Sequence, residues 1–211
     1  MVHISDGILS LPVLAVGWMV TLLLIAAALW WSKRKGNMVE EIPKLSVVTA
    51  AFFVASLIHI PVGPTSVHLI LNGLVGVTLG MLSYPAIFIG LVLQAFLFGH
   101  GGVTVIGVNT LDMGIPALIA YGIFKLGKLN IKSLAPKLWL LGAIAGGVAV
   151  TLAVLFTAAM LLTLGEEYAW VAKALVVYHI PVIAIESFIV GSVVAFLARV
   201  KPELLNLEVE K

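Results

Sequence analysis

Apolar residues fall along this chain in blocks long enough to cross a bilayer, and the breaks between them are short and rich in glycine, proline or charge. A spanning helix takes about 20 consecutive apolar residues, and residues 8–31 supply such a block before ending at Lys33, Arg34 and Lys35. It is too long for a secretory leader and its positive charges follow rather than precede it, so a retained helix is expected. A second block, 45–60, stops at His59-Ile60-Pro61-Val62-Gly63-Pro64, where two prolines remove backbone donors. At membrane depth that stretch reads as a loop dipping back into the protein. Shorter blocks at 69–82 and 85–98 are separated by a turn at Ser83-Tyr84-Pro85, and the second ends at Gly99-His100-Gly101-Gly102. The polar, glycine-rich run 99–112 reads as loop that is buried or faces water. A helix over 112–124, a span over 138–164, the acidic turn Glu166-Glu167 and a last span over 171–198 complete the chain. The pattern predicts an all-α, polytopic membrane protein with seven transmembrane helices.

Composition agrees with one integral membrane domain over 1–211. The chain is 62% hydrophobic and 10% charged, with a mean hydropathy of +1.18, which excludes an ordinary soluble domain. A net charge of +2 gives no reason to expect nucleic acid or an acidic substrate. The chain has no cysteine, so disulfides and thiolate chemistry are excluded and any metal must be held by nitrogen or oxygen.

Threading the seven segments through a bilayer sorts the charges. Lys33, Arg34, Lys35, Lys44, Lys125, Lys128, Lys132, Lys137, Arg199, Lys201 and Lys211 gather on one face, and of twelve basic residues only Lys173 falls on the other. Excess lysine and arginine marks the cytoplasmic side, which makes the N-terminus external and the C-terminus cytoplasmic. His3, His59, His68 and His100 then lie at or near the external face. A histidine-lined mouth suits the capture of a borderline metal ion.

The opening Met1-Val2-His3 presents, on an unblocked chain, a terminal amine, two backbone amides and an imidazole at successive chelating positions. If the amides of Val2 and His3 lose their protons, the resulting planar nitrogen field suits Ni(II) or Cu(II), and binding weakens in acid because protons are released. His59 and His68 flank the proline-bounded loop, which can bring both to one point. His68, beside Thr65 and Ser66, is the stronger ligand candidate, whereas His59 reads equally well as satisfying backbone groups at a broken helix end. Their spacing is not the His-Glu-x-x-His of a zinc hydrolase. His100, set among glycines that permit close backbone approach, reads either as part of the site or as a solvated loop residue. Asn109 is suited to hydrogen-bond a ligating histidine. Asp6 either orients His3 or, more simply, caps the first helix. His179 and Glu186, seven residues apart on one helix face, read as a structural or proton-linked polar pair. Small residues four apart occur at Ala51 and Ala55, Gly76 and Gly80, and Gly142 and Gly146, a spacing that lets helices pack closely. Most of these pairs should pack internally, with one such face available to a partner.

Taken together, His3-Ile4-Ser5-Asp6-Gly7, the His59-Ile60-Pro61 to His68 segment with Asn72-Gly73-Leu74, and Gly99-His100-Gly101-Gly102 to Asn109 resemble the NikM/CbiM family. These are the nickel and cobalt substrate-binding components of energy-coupling factor transporters, and the resemblance covers essentially the whole chain. It implies a multi-pass protein of a prokaryotic plasma membrane, without catalysis of its own, that captures Ni(II) or Co(II) at the external face for ATP-driven uptake. By the same resemblance an extra N-terminal helix carries the terminus into the centre of that face. The metal is then held by the Met1 amine, the Val2–His3 backbone, the His3 imidazole and His68, with Asp6, His59, His100 and Asn109 as supporting or lid residues. The implied partners are a membrane coupling subunit, two ATPase subunits and a small accessory membrane subunit. No Gly-x-x-x-x-Gly-Lys-Ser/Thr phosphate loop occurs in this chain, and Ala51 and Ala55 match the Ala-x-x-x-Ala face used to meet the coupling subunit.

One residue departs from the family pattern, which opens Met-His where this chain opens Met-Val-His. With Met1 retained, the terminal peptide alone can supply four nitrogens and His68 is released, and this is the arrangement expected here. With Met1 removed, Val2-His3 restores the usual chelate and the need for His68. Two other functions compete. A self-contained secondary metal transporter needs an ion pathway, for which Glu186 is the intramembrane acid that stands out. An intramembrane metalloenzyme needs a zinc spacing or paired general base that the chain lacks.

Overall fold

The computed structural model describes residues 3–35, 38–62, 65–129 and 135–207. Among them are seven α-helices: α1 (Leu11–Lys35), α2 (Met38–Ser56), α3 (Asn72–Leu79), α4 (Ser83–Phe98), α5 (Ile106–Lys128), α6 (Ala135–Leu162) and α7 (Ala169–Val200). Five stretches are long and apolar enough to cross a membrane: Leu11–Arg34, Asn72–Phe98, Ile106–Lys128, Pro136–Leu162 and Glu166–Val200. The protein is therefore a multi-pass helical membrane protein, with five spans by length and composition where the hydropathy blocks suggested seven. The difference lies in α2, whose first two turns carry Glu40, Glu41 and Lys44, and in the pairing of α3 with α4.

Among the described residues one pair of strands stands beside the helices. Strands β1 (His59–Val62) and β2 (Thr65–His68) pair antiparallel, with His59 opposite His68. The stretch expected to be a loop is thus a hairpin, and a two-stranded ribbon consists only of edge strands, where proline is tolerated. Its tip, Gly63 and Pro64, lies outside the described residues.

The chain turns between α3 and α4 at Gly80, three residues before the expected Ser83-Tyr84-Pro85. Gly80 adopts φ 59, ψ −126 and opens a 3-10 turn. Ser83-Tyr84-Pro85 instead forms the first turn of α4, where the missing proline N–H costs no helical bond. With eight residues, α3 is only about 12 Å long.

Helix α5 begins at Ile106, six residues before the expected start, because Gly107 serves packing rather than flexibility. A Cβ on Gly107 would lie 2.8 Å from Trp18 Cα, and one on Gly17 would lie 2.4 Å from Val108 Cγ2. Here α1 crosses α5. Trp18 Nε1 donates to the Thr104 carbonyl at 2.8 Å and Thr21 Oγ1 to the Gly107 carbonyl at 2.7 Å.

Glycines also set the interior. Gly142 and Gly146 of α6 receive Val194 and Val190 of α7, each with Cβ 2.8 Å from where a glycine Cβ would stand. Gly73 of α3 sits over Gly146, and Gly76 over the Ala117 carbonyl of α5, so α3 is wedged between α5 and α6. The segment after α7 packs against the bundle: Leu205 is fully buried in a 3-10 turn, Pro202–Leu205. Lys128 Nζ donates to the carbonyls of Leu205 and Asn206 at 3.0 and 2.8 Å. A cavity lined by Trp31, Lys44, Leu82, Tyr121 and Asn206 marks this basic end of the bundle. The N-terminal segment, the hairpin and the 99–105 loop meet at the other.

Candidate metal centre

His3 and His68, 65 positions apart in the sequence, are brought together. Their rings stack with centroids 5.2 Å apart and planes inclined by 25°, and the residues are only 6% and 3% exposed. His68 Nδ1 lies 2.9 Å from the Leu69 carbonyl. A carbonyl can only accept, so the proton of a neutral ring sits on Nδ1 and Nε2 carries the basic lone pair. Metal-ligating histidines are commonly oriented in this way by a backbone carbonyl.

The N-terminal segment reaches His68 because two side chains hold its backbone. Asn109, buried in α5, accepts from Ile4 N–H at 2.9 Å and donates through Nδ2 to the Ile4 carbonyl at 3.0 Å. This fixes the residue after His3 as a β-ladder partner would, so Asn109 acts on the backbone beside the imidazole rather than on the ring. Asp6, five residues before α1, does not cap that helix as expected. Its carboxylate accepts from Val103 N–H and Thr104 N–H, each at 3.0 Å, and from the Thr104 hydroxyl. Its own N–H donates to the Gly101 carbonyl at 2.9 Å. It therefore ties the N-terminal segment to the loop before α5.

That loop closes over His3 because its glycines leave space. A Cβ on Gly101 would lie 3.0 Å from Asn109 Nδ2 and 3.6 Å from His3 Cβ, and one on Gly102 would overlap the Asp6 carboxylate. Both have positive φ, 76 and 130. His100 is half-buried and stacks on Phe98 at 5.9 Å, at the rim of the loop. His59 is placed opposite His68 by strand register. Met1 and Val2 lie outside the described residues. Among the described residues no three His, Cys, Asp or Glu side chains converge as a metal cluster.

The expected His179–Glu186 pair takes a different form. Both side chains are fully buried in α7. His179 Nδ1 donates to the Leu175 carbonyl at 2.7 Å, while Glu186 accepts from the N–H groups of Ile70 and Leu71. Asp112, also buried, accepts from Thr157 across α5 and α6. Sequence reasoning missed Thr104, and it missed what Glu186 grips. Ala51 is exposed on α2 and Ala55 half-buried.

Comparison with known proteins follows the same outline. Residues 3–204 match the CbiM family, described as the cobalt uptake substrate-specific transmembrane region. A Haemophilus influenzae protein named as a metal transport protein is 38% identical over 205 residues, 97% of each chain. The fused nickel transport protein NikMN of Rhodobacter capsulatus is 33% identical over 128 residues, 59% of this chain and 37% of its own. The crystal structure of a transition metal transporter superposes with a TM-score of 0.79 at 27% identity, covering 94% of this chain and 93% of that one.

Proposed function

Because the chain belongs to the CbiM family of cobalt and nickel uptake transmembrane components, we propose that it is the metal-specificity subunit of an energy-coupling factor transporter. In this reading it captures Ni(II) or Co(II) from outside the cell and passes it inward when partner ATPases hydrolyse ATP. Seven chain passes, the N-terminus outside and the C-terminus inside, follow from the one-sided lysines and arginines. The two passes beyond the five long apolar stretches come from α2 and from the reversal at Gly80.

The observation that carries the proposal is the buried, stacked pair of imidazoles at the end away from the basic residues. Two nitrogens come from His3 and His68, and with Met1 removed the Val2 amine and the His3 amide complete a planar field of the kind nickel prefers. The juxtaposition favours the ligand set that includes His68 over a self-sufficient terminal chelate. Asn109 and Asp6 hold the segment in place, His59 and His100 flank it, and the 99–105 loop acts as its lid. The exposed Ala51 with Ala55 offers α2 to the coupling subunit. Two ATPases and a small accessory membrane subunit complete the assembly.

Calorimetric titration of the purified protein with Ni(II) and Co(II) tests the site. His3→Ala and His68→Ala should each weaken binding by at least ~100-fold, and acetylation of the terminal amine should do the same; these losses correspond to about 2.7 kcal/mol. Full affinity in His68→Ala would return the site to the terminal peptide alone. Metal uptake by the isolated chain in liposomes, without ATPases, would instead favour a secondary transporter.

A further inference from the structure

Glu186 lies within α7, fully buried, yet its carboxylate acts 115 positions away in sequence. One oxygen accepts from Ile70 N–H and the other from Leu71 N–H at 2.8 Å. These amides come two and three residues after His68, in the short connection between β2 and α3. Leu71 adopts φ 52, ψ 14, a left-handed conformation that a non-glycine residue holds only when its surroundings impose it. The residue between, Leu69, supplies the carbonyl that fixes the His68 ring. On the far side Asn72 is anchored through Nδ2 to the carbonyls of Met113 and Ala149, both at 3.3 Å.

A buried acid is costly in a membrane helix, and a neutral amide side chain would bring a single accepting oxygen. Two adjacent N–H groups pointing the same way are matched by the two equivalent oxygens of a carboxylate. Glutamine would offer one oxygen and turn an NH2 against the other donor. Building on the reading of His3 and His68 as the metal site, we infer that Glu186 is a positioning residue for His68. By gripping Ile70 and Leu71 it holds both the backbone of His68 and the Leu69 carbonyl that orients its imidazole. The clamp also links α7 to the metal pocket, since any displacement of α7 carries the His68 end of the hairpin with it.

The test uses the whole protein in nanodiscs with 15N-labelled histidine, in the absence of metal, followed by Ni(II) titration. His68 ring signals are assigned by their loss in His68→Ala. In Glu186→Gln they should shift or broaden while those of His100 stay in place, and Ni(II) affinity should fall by about 10–100-fold, as for other residues that orient a ligand. Adding Leu71→Gly, which makes the left-handed turn easy, should recover part of that loss. His68→Ala with Glu186→Gln should bind no worse than His68→Ala alone. Unchanged His68 signals in folded Glu186→Gln overturn the inference, as does a loss that simply adds to that of His68→Ala. If His68→Ala itself keeps full affinity, the ligand role of His68 falls while the ring signals still decide the positioning role. Should Glu186→Gln fail to fold, Glu186→Asp, one methylene shorter, carries the same two readouts.

Discussion

Along α6 and α7 the backbone bonds close within each helix, and shape joins the two: Gly142 and Gly146 make room for Val194 and Val190. At the histidine end the backbone leaves regular structure in three places, and side chains from distant elements complete it. Asn109 holds Ile4, Asp6 holds Val103 and Thr104, and Glu186 holds Ile70 and Leu71. Within a membrane a backbone group without a partner is expensive, so each departure from helix or strand requires its own polar residue. The helix pair is a packing problem that many sequences solve. The histidine end is a set of matched bonds, and it is there that two buried imidazoles meet.

The sharpest way to break this contrast is Asn109→Ala. It strands a buried N–H and a buried carbonyl on Ile4, at about 1–3 kcal/mol each. Hydrogen exchange over residues 3–9 should accelerate, and Ni(II) affinity should fall by about 10–100-fold. Native protection in this variant would show that the segment is held by packing instead. Next comes Gly146→Ala, whose added methyl meets Val190 and should cost about 1–3 kcal/mol in detergent unfolding. Val190→Ala in the same chain should restore part of it, and the metal affinity of the folded protein should not change. The smallest effect belongs to Gly122→Ala. Nothing lies within 4 Å of its missing Cβ, so thermal unfolding should shift upward by at most about 1 kcal/mol, the gain in helix propensity. A large loss there would mean that the open face of α5 is occupied.

Much of this was legible in the chain. Hydropathy blocks located the helices because burial in lipid is counted residue by residue, and His3 and His68 were singled out by chemistry alone. The errors share a cause. Gly107 was read as loop when it is the crossing point for Trp18, because glycine means flexibility or close approach according to what stands opposite. Asp6 was assigned to its nearest helix, whereas its bonds run to residues 97 and 98 positions away. Glu186 was paired with His179 by helical period, a rule that sees only its own helix.

By itself the amino-acid order determined that the protein lives in a membrane, which end is basic, and that any metal must be met by nitrogen or oxygen, since these are sums over local residues. Tertiary structure alone decided that His3 reaches His68, that the proline stretch is a hairpin, that Asn109 and Asp6 hold the N-terminal segment and that Glu186 holds the end of the hairpin. Outside the hairpin those contacts join positions tens to more than a hundred residues apart, and a hydrogen bond exists only where folding has brought donor and acceptor within about 3 Å.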